Sequence, residues 1–142
     1  MTKKRDQLEN AATKAIQYGG FNSLSFRTLA DEVGVKSSSV HYYFPEKSDL
    51  AQALIKKYTE DFLETLANIS NSKKTPKEQL KQFIHIFETL IDEERMCLCG
   101  MLAAEVNHLN DTNKQLLSAF FTETEEWLCL LLESHSSQRE IP

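Results

Sequence analysis

The sequence predicts an all-α protein: a three-helix head containing a helix-turn-helix, joined by one long helix to an α-helical body. Three observations lead there. Apolar residues recur every three or four positions along the chain, the spacing of one buried helical face. Helix boundaries are marked by small polar starters and glycine stops, as at Ser25, Gly34 and Thr75-Pro76. No stretch alternates apolar and polar residues as a strand does, and there is no internal repeat or low-complexity run.

Residues 4–18 read as a first helix, with Leu8, Ala11, Ala12, Ala15 and Ile16 on one stripe. Gly19-Gly20 stops it, and Phe21 and Leu24 lead into the next unit. There Phe26, Leu29, Ala30 and Val33 form a buried face, Ser25 stands in the capping position, and Gly34 ends the helix. Ser37 is expected to cap a following helix that starts at Ser38 and buries Val40, Tyr43 and Phe44.

The spacing Ala30, Gly34, Val40 is that of a helix-turn-helix. Such a unit needs a small residue where its helices touch, a glycine in the turn and a branched residue on the inner face of the second helix. It is built to place that helix in the DNA major groove. The outer face would then carry Ser38, Ser39, His41 and Tyr42, short or planar groups suited to phosphates and base edges. An ordinary helical hairpin is the plainer account of the same spacing.

Pro45 suits a helix entry, and a helix follows from about Glu46 to Ser70, with Leu50, Leu54, Tyr58, Phe62, Leu66 and Ile69 at helical spacing. At 1.5 Å per residue it spans about 36 Å, enough to connect a head to a separate body. Lys47 lies in its first turn, where it either meets a phosphate or stays solvated. Asn71-Ser72-Lys73-Lys74 is a polar linker. Thr75, Pro76 and Glu78 form a capping box opening a helix over 76–92, which buries Leu80, Phe83, Ile84 and Phe87. A helix from about Cys97 to Leu109 and another over about 113–133 complete the body, with Asn110-Asp111 between them.

A net charge of −5 divides unevenly. Residues 1–50 hold seven Lys/Arg against six Asp/Glu, and the remainder nine against fifteen, so only the N-terminal part suits a polyanion. No apolar run approaches the roughly 18 residues of a membrane span, and the start MTKKRDQ lacks an apolar signal core, so no membrane is expected and the location is read as cytoplasmic. Three cysteines, Cys97, Cys99 and Cys129, fit a reducing compartment. Cys97 and Cys99 point about 200° apart on a helix, so they are not expected to share a metal. Cys97 opens a helix beside Arg95, the setting of a thiol sensor, although a small buried residue in tight packing fits as well. No nucleophile–base pair, phosphate-cradling glycine loop or convergent metal-ligand set suggests an enzyme, a metal or a cofactor.

Ser25–Lys47, with His41-Tyr42-Tyr43-Phe44 and then Lys47, resembles the DNA-binding module of TetR-type transcriptional regulators. Here His41 stands where that family more often has Tyr. The likeness extends upstream to about Arg5 and more weakly through the rest of the chain. It implies a DNA-binding domain over 1–47, with the motif at about 25–44, and a helical regulatory domain over 48–142 that takes a small-molecule effector and dimerises. It also implies a homodimeric repressor of a palindromic operator in double-stranded DNA. The DNA contacts expected are Arg27, Lys36, Ser37, Ser38, Ser39, His41, Tyr42 and Lys47, with Arg27 and Lys47 on phosphates. Phe62, Phe83, Phe87, Met101 and Trp127 either line an effector pocket or form plain core. Glu105, three residues before His108, marks a polar spot in that pocket or faces solvent. Regulators of this type usually continue for two further helices that pair the dimer, so the chain reads as C-terminally short. That shortness and the acidic balance leave a second reading open, a helical protein–protein interaction module that no longer binds DNA.

Overall fold

The computed structural model describes residues 2–138, and every regular element among them is helical. In order these are α1 (Thr2–Gly19), α2 (Phe26–Val33), α3 (Ser37–Tyr43), α4 (Lys47–Ser70), α5 (Pro76–Asp92), α6 (Leu98–Ala104), a 3₁₀ turn (Val106–His108) and α7 (Asp111–Gln138). The last residues of the predicted polar tail, 139–142, lie outside the described residues.

Local signals set most boundaries. Thr75 Oγ1 accepts from Glu78 N at 3.2 Å, and Pro76 occupies the first turn of α5, where its missing N–H costs nothing. Glu46 caps α4 reciprocally with Asp49, whose Oδ2 accepts from Glu46 N at 2.9 Å. The long helix therefore starts at Lys47, one residue later than expected. Asn110 Oδ1 accepts from Asn113 N at 2.9 Å, so α7 begins at Asp111 rather than near 113, and it continues to Gln138.

Two expectations need correction. Ser37 does not cap α3 but is its first residue. Lys36 is the N-cap, without a side-chain bond, and its carbonyl accepts from Ser39 N at 2.9 Å. The helix expected over 97–109 ends at Ala104. Glu105 N donates to Leu102 O at 3.1 Å and His108 N to Glu105 O at 2.9 Å, the tighter three-residue spacing of a 3₁₀ turn. Glu-Val-Asn-His contains three weak helix formers, which removes the propensity needed to continue.

One hydrophobic cluster runs through head and body, from Leu8 and Ile16 through Leu29, Val40 and Leu54 to Phe62, Leu102 and Phe120. Helix α4 is its spine and packs against α1, α5, α6 and α7. None of the helices among the described residues is long and apolar enough to cross a membrane.

Candidate nucleic-acid interface

The α2–turn–α3 unit is built by a few short contacts. Ser25 Oγ accepts from Thr28 N at 3.1 Å and starts α2. Gly34, at φ 81° and ψ 36°, takes the left-handed conformation that turns the chain. The N–H groups of Gly34 and Val35 both donate to Ala30 O at 2.9 Å, closing the turn. Ala30 and Val40 are buried, as a close approach of the two helices requires.

The seven residues of α3 divide into two faces. Val40 and the following Phe44 are buried and Tyr43 is half-buried, whereas Ser37, Ser38, His41 and Tyr42 are exposed and Ser39 is half-buried. Tyr42 is 81% exposed, an unusual position for a large aromatic, and its ring lies edge-on to Tyr43 at 5.2 Å. His41 lies edge-on to Phe26 at 4.7 Å, and its Nδ1 is 3.3 Å from Pro45 O, which leaves Nε2 as the ring's unused polar atom. Arg27 and Lys36 are exposed. From behind, the Arg5 guanidinium stacks 4.7 Å over the Phe44 ring and pairs with Glu9 at 3.5 Å, bracing the end of α3 against α1.

Lys47 is the first residue of α4 and is half-buried. Its Nζ lies 4.6 Å over the Phe21 ring and 3.5 Å from Asn22 O, at the junction with the body. Desolvation there lowers its pKa, and the Glu105 charge partly opposes that shift. Glu105 itself reaches back to the head: Oε2 accepts from Phe21 N at 2.6 Å and Oε1 from Asn22 N at 2.8 Å. This contact is not legible in the sequence. The only available signal was an acidic residue in an otherwise apolar segment.

In the body, Phe62 is the hub of an aromatic cluster. Its ring centre lies 5.1 Å from Phe120, 6.1 Å from Phe87 and 6.3 Å from Phe83, and Phe83 stacks on Trp127 at 5.5 Å. Trp127 Nε1 donates to Ser70 Oγ at 2.8 Å. Met101 is half-buried against the same core. The structure thus brings Phe62, Phe83, Phe87 and Trp127 together, with Glu105 at the head junction. A cavity of about 260 Å³ opens beside Phe62, between Gln17, Tyr58 and Leu90. A larger groove of about 550 Å³ adjoins it across Thr65 and Ile86 and runs along Ile69, Ile84 and His85. Cys97 is half-buried and receives a hydrogen bond from Tyr58 Oη at 3.5 Å. Cys99 is buried, and that burial pushes its thiol pKa well above the ordinary range. The Arg95 guanidinium donates to Gln17 Oε1 at 2.6 Å and pairs with Glu93. Among the described residues no group of three or more His, Cys, Asp or Glu could hold a metal ion.

A family model described as "Bacterial regulatory proteins, tetR family" matches residues 9–54. The crystal structure of a TetR transcriptional regulator from Legionella pneumophila is 33% identical, with a TM-score of 0.86 over 92% of this chain and 72% of that one. This chain belongs to the TetR family. A TetR-family regulator from Agrobacterium tumefaciens is 31% identical, with a TM-score of 0.91, covering 96% of this chain and 73% of that one. The Fatty acid metabolism regulator protein of Bacillus subtilis (strain 168) is 28% identical over 104 residues, 72% of this chain. The chain spans 54% of the length of that relative. The TetR family comprises regulatory proteins rather than enzymes, and the helix-turn-helix head that defines it is intact here.

Proposed function

We propose that this chain is an effector-responsive transcriptional repressor that binds a palindromic operator in double-stranded DNA as a homodimer. The observation that carries the reading is the division of α3, with Val40 and Phe44 fully committed to the core while Ser38, His41 and Tyr42 stay on the outside. An exposed tyrosine on the outer face of the second helix of such a motif has no packing role. It fits contact with a backbone or a thymine methyl. Arg27 and Lys36 supply the phosphate contacts, and Ser37, Ser38, Ser39 and His41 the polar contacts in the groove.

Pairing of two heads supplies what one weakly charged head lacks. The face of α7 that exposes Phe121 and Leu132 is the surface we assign to pairing. The effector is assigned to the cavity beside Phe62, whose neighbours Tyr58 and Leu90 offer an apolar lining and Gln17 a polar one. Mobility-shift titration of duplex DNA, with wild type beside Tyr42→Ala, tests the function. Salt-dependent binding that weakens in the variant supports it, whereas a wild type that shifts no duplex favours an interaction module instead.

A further inference from the structure

The chain's head and body meet at a short segment, residues 17–22, and its contacts come from three separate parts of the sequence. Met96 N donates to Gln17 O at 3.0 Å, and Arg95 holds the Gln17 side chain. Lys47 lies over Phe21. Glu105, from the end of α6, gives one carboxylate oxygen to each of two successive backbone N–H groups, Phe21 at 2.6 Å and Asn22 at 2.8 Å. Consecutive N–H groups next to a left-handed residue form a concavity that holds an anion, and here Gly20, at φ 90°, is that residue. A Cβ on Gly20 would lie 2.8 Å from Glu105 Oε2. Gly20 therefore serves as more than a helix stop, because only glycine leaves room for a carboxylate from 85 residues away.

We infer that Glu105 is the latch that holds the DNA-binding head on the body, acting as a positioning residue for α3. The segment it grips runs directly into the Ser25 cap and α2, and α2 carries α3 through the closed Gly34 turn. Lys47 covers the same loop from the other side, with its ammonium 4.6 Å over the Phe21 ring and 3.5 Å from Asn22 O. A displacement at the end of α6 is thus passed along the chain, through the 21–25 segment and α2, to α3. The DNA-binding role of this latch rests on the function proposed above.

The test is backbone amide hydrogen exchange on the whole chain, for wild type, Glu105→Ala and Glu105→Gln. In Glu105→Ala, protection at Phe21 and Asn22 should fall by about tenfold or more, since two charge-assisted bonds are lost. Protection at Leu54 and Ile55 should hold. Glu105→Gln keeps one acceptor oxygen and should lose less. Duplex binding by Glu105→Ala should weaken with the salt slope unchanged, because no phosphate contact is removed. Unchanged exchange at Phe21 and Asn22, or an equal loss at every amide, would overturn the latch. Undiminished DNA binding with both amides released would overturn its positioning role. A wild type that binds no duplex refutes the proposed function alone, and the exchange data still decide whether the latch exists.

Discussion

Two glycines in left-handed conformations allow a comparison in which only one variable changes. Gly34 has φ 81°, and a Cβ built there meets no atom within 4 Å. Gly34→Ala therefore tests backbone strain alone. The left-handed conformation costs a non-glycine residue roughly 1–2 kcal/mol, and the stiffer unfolded chain returns about 0.4–1. The net expected loss is about 1 kcal/mol. Gly20 has φ 90°, so its backbone term is similar, but its Cβ would stand 2.8 Å from Glu105 Oε2. The carboxylate must withdraw, releasing the Phe21 and Asn22 N–H groups to water. Hydrogen bonds to charged groups contribute about 1.5–3 kcal/mol each when buried, and less here because Asn22 is exposed. Gly20→Ala should thus lose about 2–4 kcal/mol in urea unfolding followed by Trp127 fluorescence. In a Glu105→Ala background the excess should vanish, leaving Gly20→Ala no worse than Gly34→Ala. Equal losses for the two glycines in the wild-type background, or an excess that survives removal of Glu105, would refute the reasoning.

Other expected outcomes follow from the same packing. Phe62→Ala removes the hub of the aromatic cluster and should cost about 3–5 kcal/mol in the same assay. Tyr42→Ala should change stability by less than about 0.5 kcal/mol while weakening duplex binding by about 1–3 kcal/mol, read by fluorescence anisotropy. An aromatic disulfide reagent should modify exposed Cys129 first and half-buried Cys97 more slowly, reaching buried Cys99 only on unfolding. Because burial raises the Cys99 pKa in the fold, the unfolded thiol ionises first as pH rises past its ordinary value, so the folded state binds more protons there. Stability should fall with pH in that alkaline range, and Cys99→Ala should flatten the decline.

The parts of this molecule that were legible in the sequence are those set by local chemistry. The start of α5 follows from Thr75, Pro76 and Glu78, and the turn from Gly34, because each is decided within four residues. The helical faces of α2 and α4 follow from apolar spacing, since burying Leu29, Ala30, Leu50 and Leu54 requires no knowledge of the partner helix. What was not legible depends on distant pairs. Glu105 meets Gly20 and Phe21 only after five helices have folded between them, so its chemical type suggested a polar spot without saying where. The seat of the Lys47 ammonium over the Phe21 ring is a second such distant pair. The break after Ala104 was masked because Val106 and Leu109 continue the apolar spacing through a segment of weak helix formers.

The central claim is that α3 meets DNA, and anisotropy of a labelled random-sequence duplex titrated with the whole chain at graded salt tests it most directly. If Arg27 and Lys36 of two paired heads each neutralise a phosphate, log affinity should fall against log salt with a slope of about −3.6. Between about 50 and 200 mM salt that is a loss of about 150-fold. Binding that follows this dependence is the predicted result. No binding at the lowest salt, or binding indifferent to salt, would contradict the account.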